Sequence, residues 1–141
     1  MGAMGAMLLV TGVFIALAAN DAGVVAHDGW MRPVPKSLTE GAIYVVVENH
    51  TDQKRSIVSG TSDIAGEVEL HQMTMDGKLM KMNRIPKVDV PAHGKAKFEE
   101  GALHIMLFDL KEHPAVGDTV TVNLKLDDGT VVPVAATVRK K

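Results

Sequence analysis

"GEVELHQMTMDGKLMKMNRI", residues 66–85, decides the fold class. Its first half alternates Glu67, Val68, Glu69, Leu70, so an extended backbone sends one set of side chains to water and the other into a core. Asp76-Gly77 is a residue pair favoured in tight hairpin turns. "KLMKMNRI" then returns beside the first strand. The stretch predicts a β-hairpin turning at "MDGK".

The rest of the chain reads the same way in both directions. Upstream, "GVVAHDGWMRP" is a strand stopped by Pro33 and Pro35, "GAIYVVVENH" a Val-rich strand and "RSIVSG" a short one. Downstream, "VDVPAHGKAKFE" bends at Pro91 and Gly94, and "ALHIMLFDL" is an apolar strand. "DTVTVNLKL", the turn "DDGT" and "VVPVAATV" form a terminal hairpin. No helix-period segment of useful length and no internal repeat follow residue 20. Short β-rich runs separated by regular turn signals predict an antiparallel β-sandwich or barrel.

Composition narrows the chemistry. The chain has 141 residues, enough for one domain with its own core. Apolar residues make up 46 % and aromatic residues only 4 %, so that core must be built of Val, Leu, Ile, Ala and Met. A net charge of −2 gives no electrostatic footprint for nucleic acid. The chain has no cysteine, which excludes disulfides, thiol nucleophiles and thiolate-ligated metals, blue-copper electron transfer among them. Residues 1–19 stand apart. "MGAMGAMLLVTGVFIALAAN" has no charged side chain and about 16 near-continuous apolar or small residues, short of the about 20 that span a membrane. With Ala16-Leu17-Ala18 as a small-x-small cleavage pattern, it reads as a signal peptide or an N-terminal apolar anchor that exports the domain of residues 20–141, although a basic n-region is missing.

Nine methionines are many, and their placement is telling. Met73, Met75, Met80, Met82 and Met106 interleave with His71, His93 and His104. Thioethers are soft ligands suited to Cu(I), and imidazole accepts Cu(I), Cu(II) or Zn(II). His104 and Met106 are two apart on one strand and share a face, as do His71 with Met73 and Met80 with Met82. Strands about 5 Å apart can bring such pairs together. Methionine also fills core gaps where aromatics are scarce, so spacing alone leaves a copper site and ordinary packing both open.

Taken together, His71, ten residues, Met82, twenty-one residues, His104, one residue and Met106 form the pattern H-x10-M-x21-H-x-M. This pattern resembles that of the PCu(A)C family of periplasmic copper(I) chaperones. "HDGWMRPVP", "VELHQM", "GKLMKM", "VDVPAHGKAKFEEGALHIML" and "GDTVTVNLKLDDGT" look like the family's phrasing as well, over about residues 24 to 138. The resemblance implies an all-β, cupredoxin-like Greek-key β-sandwich. It implies one Cu(I) held by His71, Met82, His104 and Met106, with no acidic ligand. The implied function is copper carriage in the periplasm or another extracytoplasmic space, to an acceptor such as cytochrome c oxidase subunit II with its binuclear copper centre. Some members carry a His/Met-rich C-terminal extension that captures Cu(II). This chain ends "VRKK", so no second site is expected there.

Other residues draw simpler readings. Met73, Met75 and Met80 are expected to give the site hydrophobic cover. His27, His50, His93 and His113 are expected to be exposed, at turns or strand ends. Trp30 is expected to pack on the core, and Arg32 to bond backbone carbonyls. An enzyme is not expected, because no Ser/His/Asp set or paired carboxylates stand at motif spacing. The alternative to a chaperone is a structural or adhesive sandwich whose methionines only pack.

Overall fold

The computed structural model describes residues 23–140, and the leader of residues 1–19 lies outside them. Among the described residues there are ten strands and no helix. In chain order they are β1 Val24–Met31, β2 Gly41–Asn49, β3 Arg55–Ser62, β4 Ala65–Asp76, β5 Leu79–Arg84, β6 Val88–Val90, β7 Lys95–Phe98, β8 Leu103–Leu110, β9 Thr119–Leu126 and β10 Val131–Val138. The β4–β5 hairpin turns where Asp76-Gly77 predicts it. Gly77 has φ +65, a left-handed conformation that glycine adopts without a Cβ penalty.

Hydrogen bonds link the strands in the order β5-β4-β8-β2-β1-β10-β9-β3-β6, with β7 also on β2. This path curls over so that its two halves face one another. Gly60 on β3 meets Val68 on β4 so closely that a Cβ there would sit 3.0 Å from the valine side chain. Strict alternation drives the closure. In β9 and β10 every second residue is buried, and in β2 Gly41, Ile43, Val45, Val47 and Asn49 point inward. Ile57, Leu70, Phe98, Ile105, Leu107 and Leu124 complete an aliphatic core with few aromatics, as the composition requires.

Four details differ from the sequence reading or add to it. β1 pairs with β10 in parallel, through Gly29 and Ala136 to Met31 and Val138, so the sandwich is not wholly antiparallel. First and last strands meet edge to edge only because the intervening strands carry the chain around the core. Next, "VDVPAHGKAKFE" is two strands with different partners, β6 on β3 and β7 on β2. Pro91 and His93 (φ +54) turn the chain between them. Finally, Trp30 lies outside the core. Its ring stacks under Arg139, 4.5 Å from the guanidinium carbon, and beside Tyr44 at 5.1 Å. Arg32 bonds Glu100 at 2.6 and 3.0 Å rather than backbone carbonyls. An indole flanked by two guanidinium groups is stabilised by cation–π attraction without deep burial.

Candidate metal centre

Three neighbouring strands build the site, β5, β4 and β8, with β4 in the middle. His71 stands directly opposite His104, and Glu69 opposite Met106. Along the other side of β4, Arg84 faces His71, Met82 faces Met73 and Met80 faces Met75. Directly opposed residues of an antiparallel pair share a face, so His71, Met82, His104 and Met106 lie on one side of the sheet. The other side of β4 and β8 gives Leu70, Ile105 and Leu107 to the core. Residues 104–107 are therefore buried on both faces, which explains an apolar strand holding an imidazole and a thioether.

Met106 is buried but stands outside the core cluster. It lines a cavity together with Ser37 to Ala42, the end of the β1–β2 connection and the start of β2, where Ala42 is its cross-strand neighbour. That segment is tied down where the Leu110 amide donates to Thr39 O at 3.0 Å and His113 Nε2 donates to Leu38 O at 2.7 Å. His113, expected to be exposed, is instead half-buried and anchored by this bond. Met82 reaches further than its register. It faces Met73 across the ladder, yet its sulfur crosses β4 to lie 3.2 Å from His104 Nε2.

His104 Nδ1 lies 3.2 Å from Ala102 O, and a carbonyl can only accept, so Nδ1 carries the proton. Burial pushes the His104 pKa down, and nearby His71 pushes it the same way, while the bond to Ala102 opposes them. In its neutral form the ring, with its proton on Nδ1, presents the Nε2 lone pair to a thioether sulfur. Ligands at about 2.0 Å (N) and 2.3 Å (S) from a tetrahedral ion sit about 3.5 Å apart, within a few tenths of the separation found here. His71 lies 5.7 Å from His104, centroid to centroid, and its Nδ1 is buried with no hydrogen-bond partner. A buried polar atom without a partner is costly, and a bound ion would supply one. The donor set fits a soft ion.

The sequence reading missed Glu69. The alternation of Glu67 and Glu69 predicts a wet face, but the Glu69 side chain is only 14 % exposed and its Oε1 lies 2.9 Å from His71 Nε2. An acid therefore borders the His/Met set. The i, i+2 spacing that pairs His104 with Met106 also pairs Glu69 with His71, so the signal was in the sequence. The hydrogen bond from His71 holds the Glu69 carboxyl below its ordinary range, helped by one shared with Glu67, whose own carboxyl is held above its range. Phe108, centred 5.8 Å from His71, walls the same side. Among the described residues no group of three or more His, Asp or Glu is placed to hold a metal. Nor are the outer methionines buried cover. Met75 is 62 % exposed and Met80 56 %, because the hairpin extends beyond the sandwich.

Comparison with known proteins places this arrangement in a lineage. A family described as "Putative lipoprotein LpqE-like" matches residues 24–138. The chain is a member of the PCu(A)C family. The solution structure of Cu(I)-DR1885 from Deinococcus radiodurans is 32 % identical, with a TM-score of 0.64 over 84 % of this chain and 77 % of that one. The copper-bound PCuAC domain of PmoF2 is 18 % identical, with a TM-score of 0.71 over 84 % of this chain and 94 % of that one, a likeness of fold. An uncharacterized protein of Rickettsia prowazekii is 31 % identical over 121 residues. This chain is aligned over 81 % of its own length and spans 65 % of that relative. The cupredoxin-like β-sandwich expected from the sequence is the fold observed. PCu(A)C proteins are copper-binding chaperones rather than enzymes.

Proposed function

We propose that this PCu(A)C domain is an extracytoplasmic copper chaperone that binds one Cu(I) through His71, Met82, His104 and Met106 and passes it to an acceptor protein. The observation that carries this reading is the approach of His104 Nε2 to the Met82 sulfur, 3.2 Å away, beside the unpartnered His71 Nδ1. Two imidazoles and two thioethers form a soft set that favours Cu(I) over Zn(II). Release is served by asymmetry. Met106 and the imidazoles are buried, but Met82 is 48 % exposed at the sheet edge. An incoming ligand can therefore displace the Met82 thioether first, while the other three still hold the ion. The binuclear copper centre of cytochrome c oxidase subunit II is the proposed acceptor, on the family resemblance. The lipoprotein description of the matched family supports an exported protein, tethered or freed according to the fate of its leader.

Anaerobic titration with Cu(I) against a competing chelator tests the reading. One equivalent should bind, and excess Zn(II) should not displace it. A stoichiometry near zero, or displacement by Zn(II), would leave the structural-sandwich alternative standing.

A further inference from the structure

His71 is anchored at one nitrogen only. Nε2 meets Glu69 Oε1 at 2.9 Å, and Nδ1, on the other side of the ring, is buried without a partner. An ionised carboxylate accepts and never donates, so the proton of a neutral His71 belongs on Nε2 and the lone pair on Nδ1. His104 has the opposite arrangement, its proton on Nδ1 facing Ala102 O and its lone pair on Nε2. We infer that Glu69 is a positioning residue that fixes the His71 tautomer, so that His71 binds copper through Nδ1 while His104 binds through Nε2.

Register supports the division of labour. Glu69 and Met106 are direct cross-strand neighbours, one step along from the His71–His104 pair. From there Glu69 turns its carboxylate to the His71 ring. Arg84, the register partner of His71 on β5, lies 3.8 Å from the same Oε1, so that carboxylate oxygen is approached from the neighbouring strand as well as from its own. A carboxylate behind a ligating imidazole orients the ring and raises the basicity of the other nitrogen, and removing such a support typically lowers metal affinity about 10- to 100-fold. It also gives the bound cation a nearby negative charge from outside the ligand set. The ring could instead turn over about its Cβ–Cγ axis and offer Nε2. Glu69 disfavours that state, because it would lose its only N–H donor from His71.

This inference rests on the proposed Cu(I) reading, and one set of measurements separates the two. Two-bond 1H–15N correlation on the labelled metal-free protein at neutral pH should find His71 protonated at Nε2 and His104 at Nδ1. Adding one equivalent of Cu(I), which is diamagnetic, should shift His71 Nδ1 and His104 Nε2. Glu69→Ala should lower Cu(I) affinity by about 10- to 100-fold and abolish the His71 tautomer preference. Glu69→Gln, whose amide oxygen can still accept from Nε2, should keep the tautomer and lose less affinity. Thermal melts check that both variants fold. A metal-free His71 protonated at Nδ1, a metal shift on its Nε2, or unchanged affinity in Glu69→Ala would each overturn the role of Glu69 while leaving a Cu(I) site in place. Failure of the wild type to bind Cu(I) would overturn both readings.

Discussion

Ala102 O, 3.2 Å from His104 Nδ1, settles which nitrogen of that ring is free, and the Met82 sulfur stands before it. A side chain's contribution to copper binding should therefore follow its place on the grid, not its chemistry alone. Met82→Ala and Met106→Ala each remove a proposed ligand and are expected to weaken Cu(I) binding by at least about tenfold, the lower end of what losing a mere supporting group costs. Met75→Ala, exposed two positions further along the hairpin, should change affinity less than about threefold on the same scale. Chelator competition measures this, with thermal melts confirming that all three variants fold. Equal losses would mean that the thioethers are wrongly assigned. In the middle of β1, His27 obeys the reverse electrostatics of His104. Its Nδ1 faces Asp28 at 3.0 Å and its Nε2 faces Glu48 at 3.5 Å, and the Asp28 bond is the main reason its pKa is raised above 6.5. A raised folded-state value means that stability from this pair is fully present below pH 6.5 and is lost as pH rises through the folded value. In a proton NMR titration the His27 midpoint should lie above 6.5 and fall in Asp28→Asn, a change compatible with the positive φ of 58 at that residue.

Elements in this sandwich are held at their ends by side chains that no periodicity reveals. Asn49 closes β2 and is 1 % exposed. Its Nδ2 donates to Gln53 O at 2.8 Å and Val90 O at 3.2 Å, and its Oδ1 accepts from the Thr51 amide and hydroxyl. One amide thus pins the β2–β3 turn to β6. Asn49→Ala would leave these backbone groups without partners in a buried place and should cost about 2–3 kcal/mol in chemical denaturation, at the scale of unpaired buried groups. A loss below about 0.5 kcal/mol would mean that water replaces the amide freely. Nothing in the "VENHTDQ" sequence separates this Asn from an ordinary turn residue, because its partners lie as far as 41 positions away. The β4–β5 hairpin is the opposite case. Asp-Gly chemistry is local, and both strands and their turn are found where the sequence puts them.

For the whole molecule, the core does not need the ion. The site lies on the outer face of β4 and β8, and Val, Leu and Ile on their inner faces fill the sandwich. Metal-free protein should give a folded β-sheet circular dichroism spectrum and a cooperative melt, with copper adding stability by mass action. Ile105→Ala, at 0 % exposure on the inner face of the site strand, should cost about 3 kcal/mol through cavity formation. Its effect on Cu(I) affinity should be small beside that of Met106→Ala, its neighbour on the outer face. An unfolded metal-free spectrum would show that the ion is part of the core after all.

The sequence by itself determined the strands, the two hairpin turns and the absence of thiolate chemistry, because alternation, Asp-Gly pairs and composition act over a few residues. Through its resemblance to a family it also marked His71, Met82, His104 and Met106. Tertiary structure decided what lies between those marks. It set His71 opposite His104 and carried the Met82 sulfur across β4. It sequestered Glu69 on a face that alternation makes wet, and moved Trp30 out of the core to lie against Arg139. Each of these depends on which strands become neighbours and in what register. Register is fixed by burying one face of every strand at once, a property of the closed sandwich that no single segment contains.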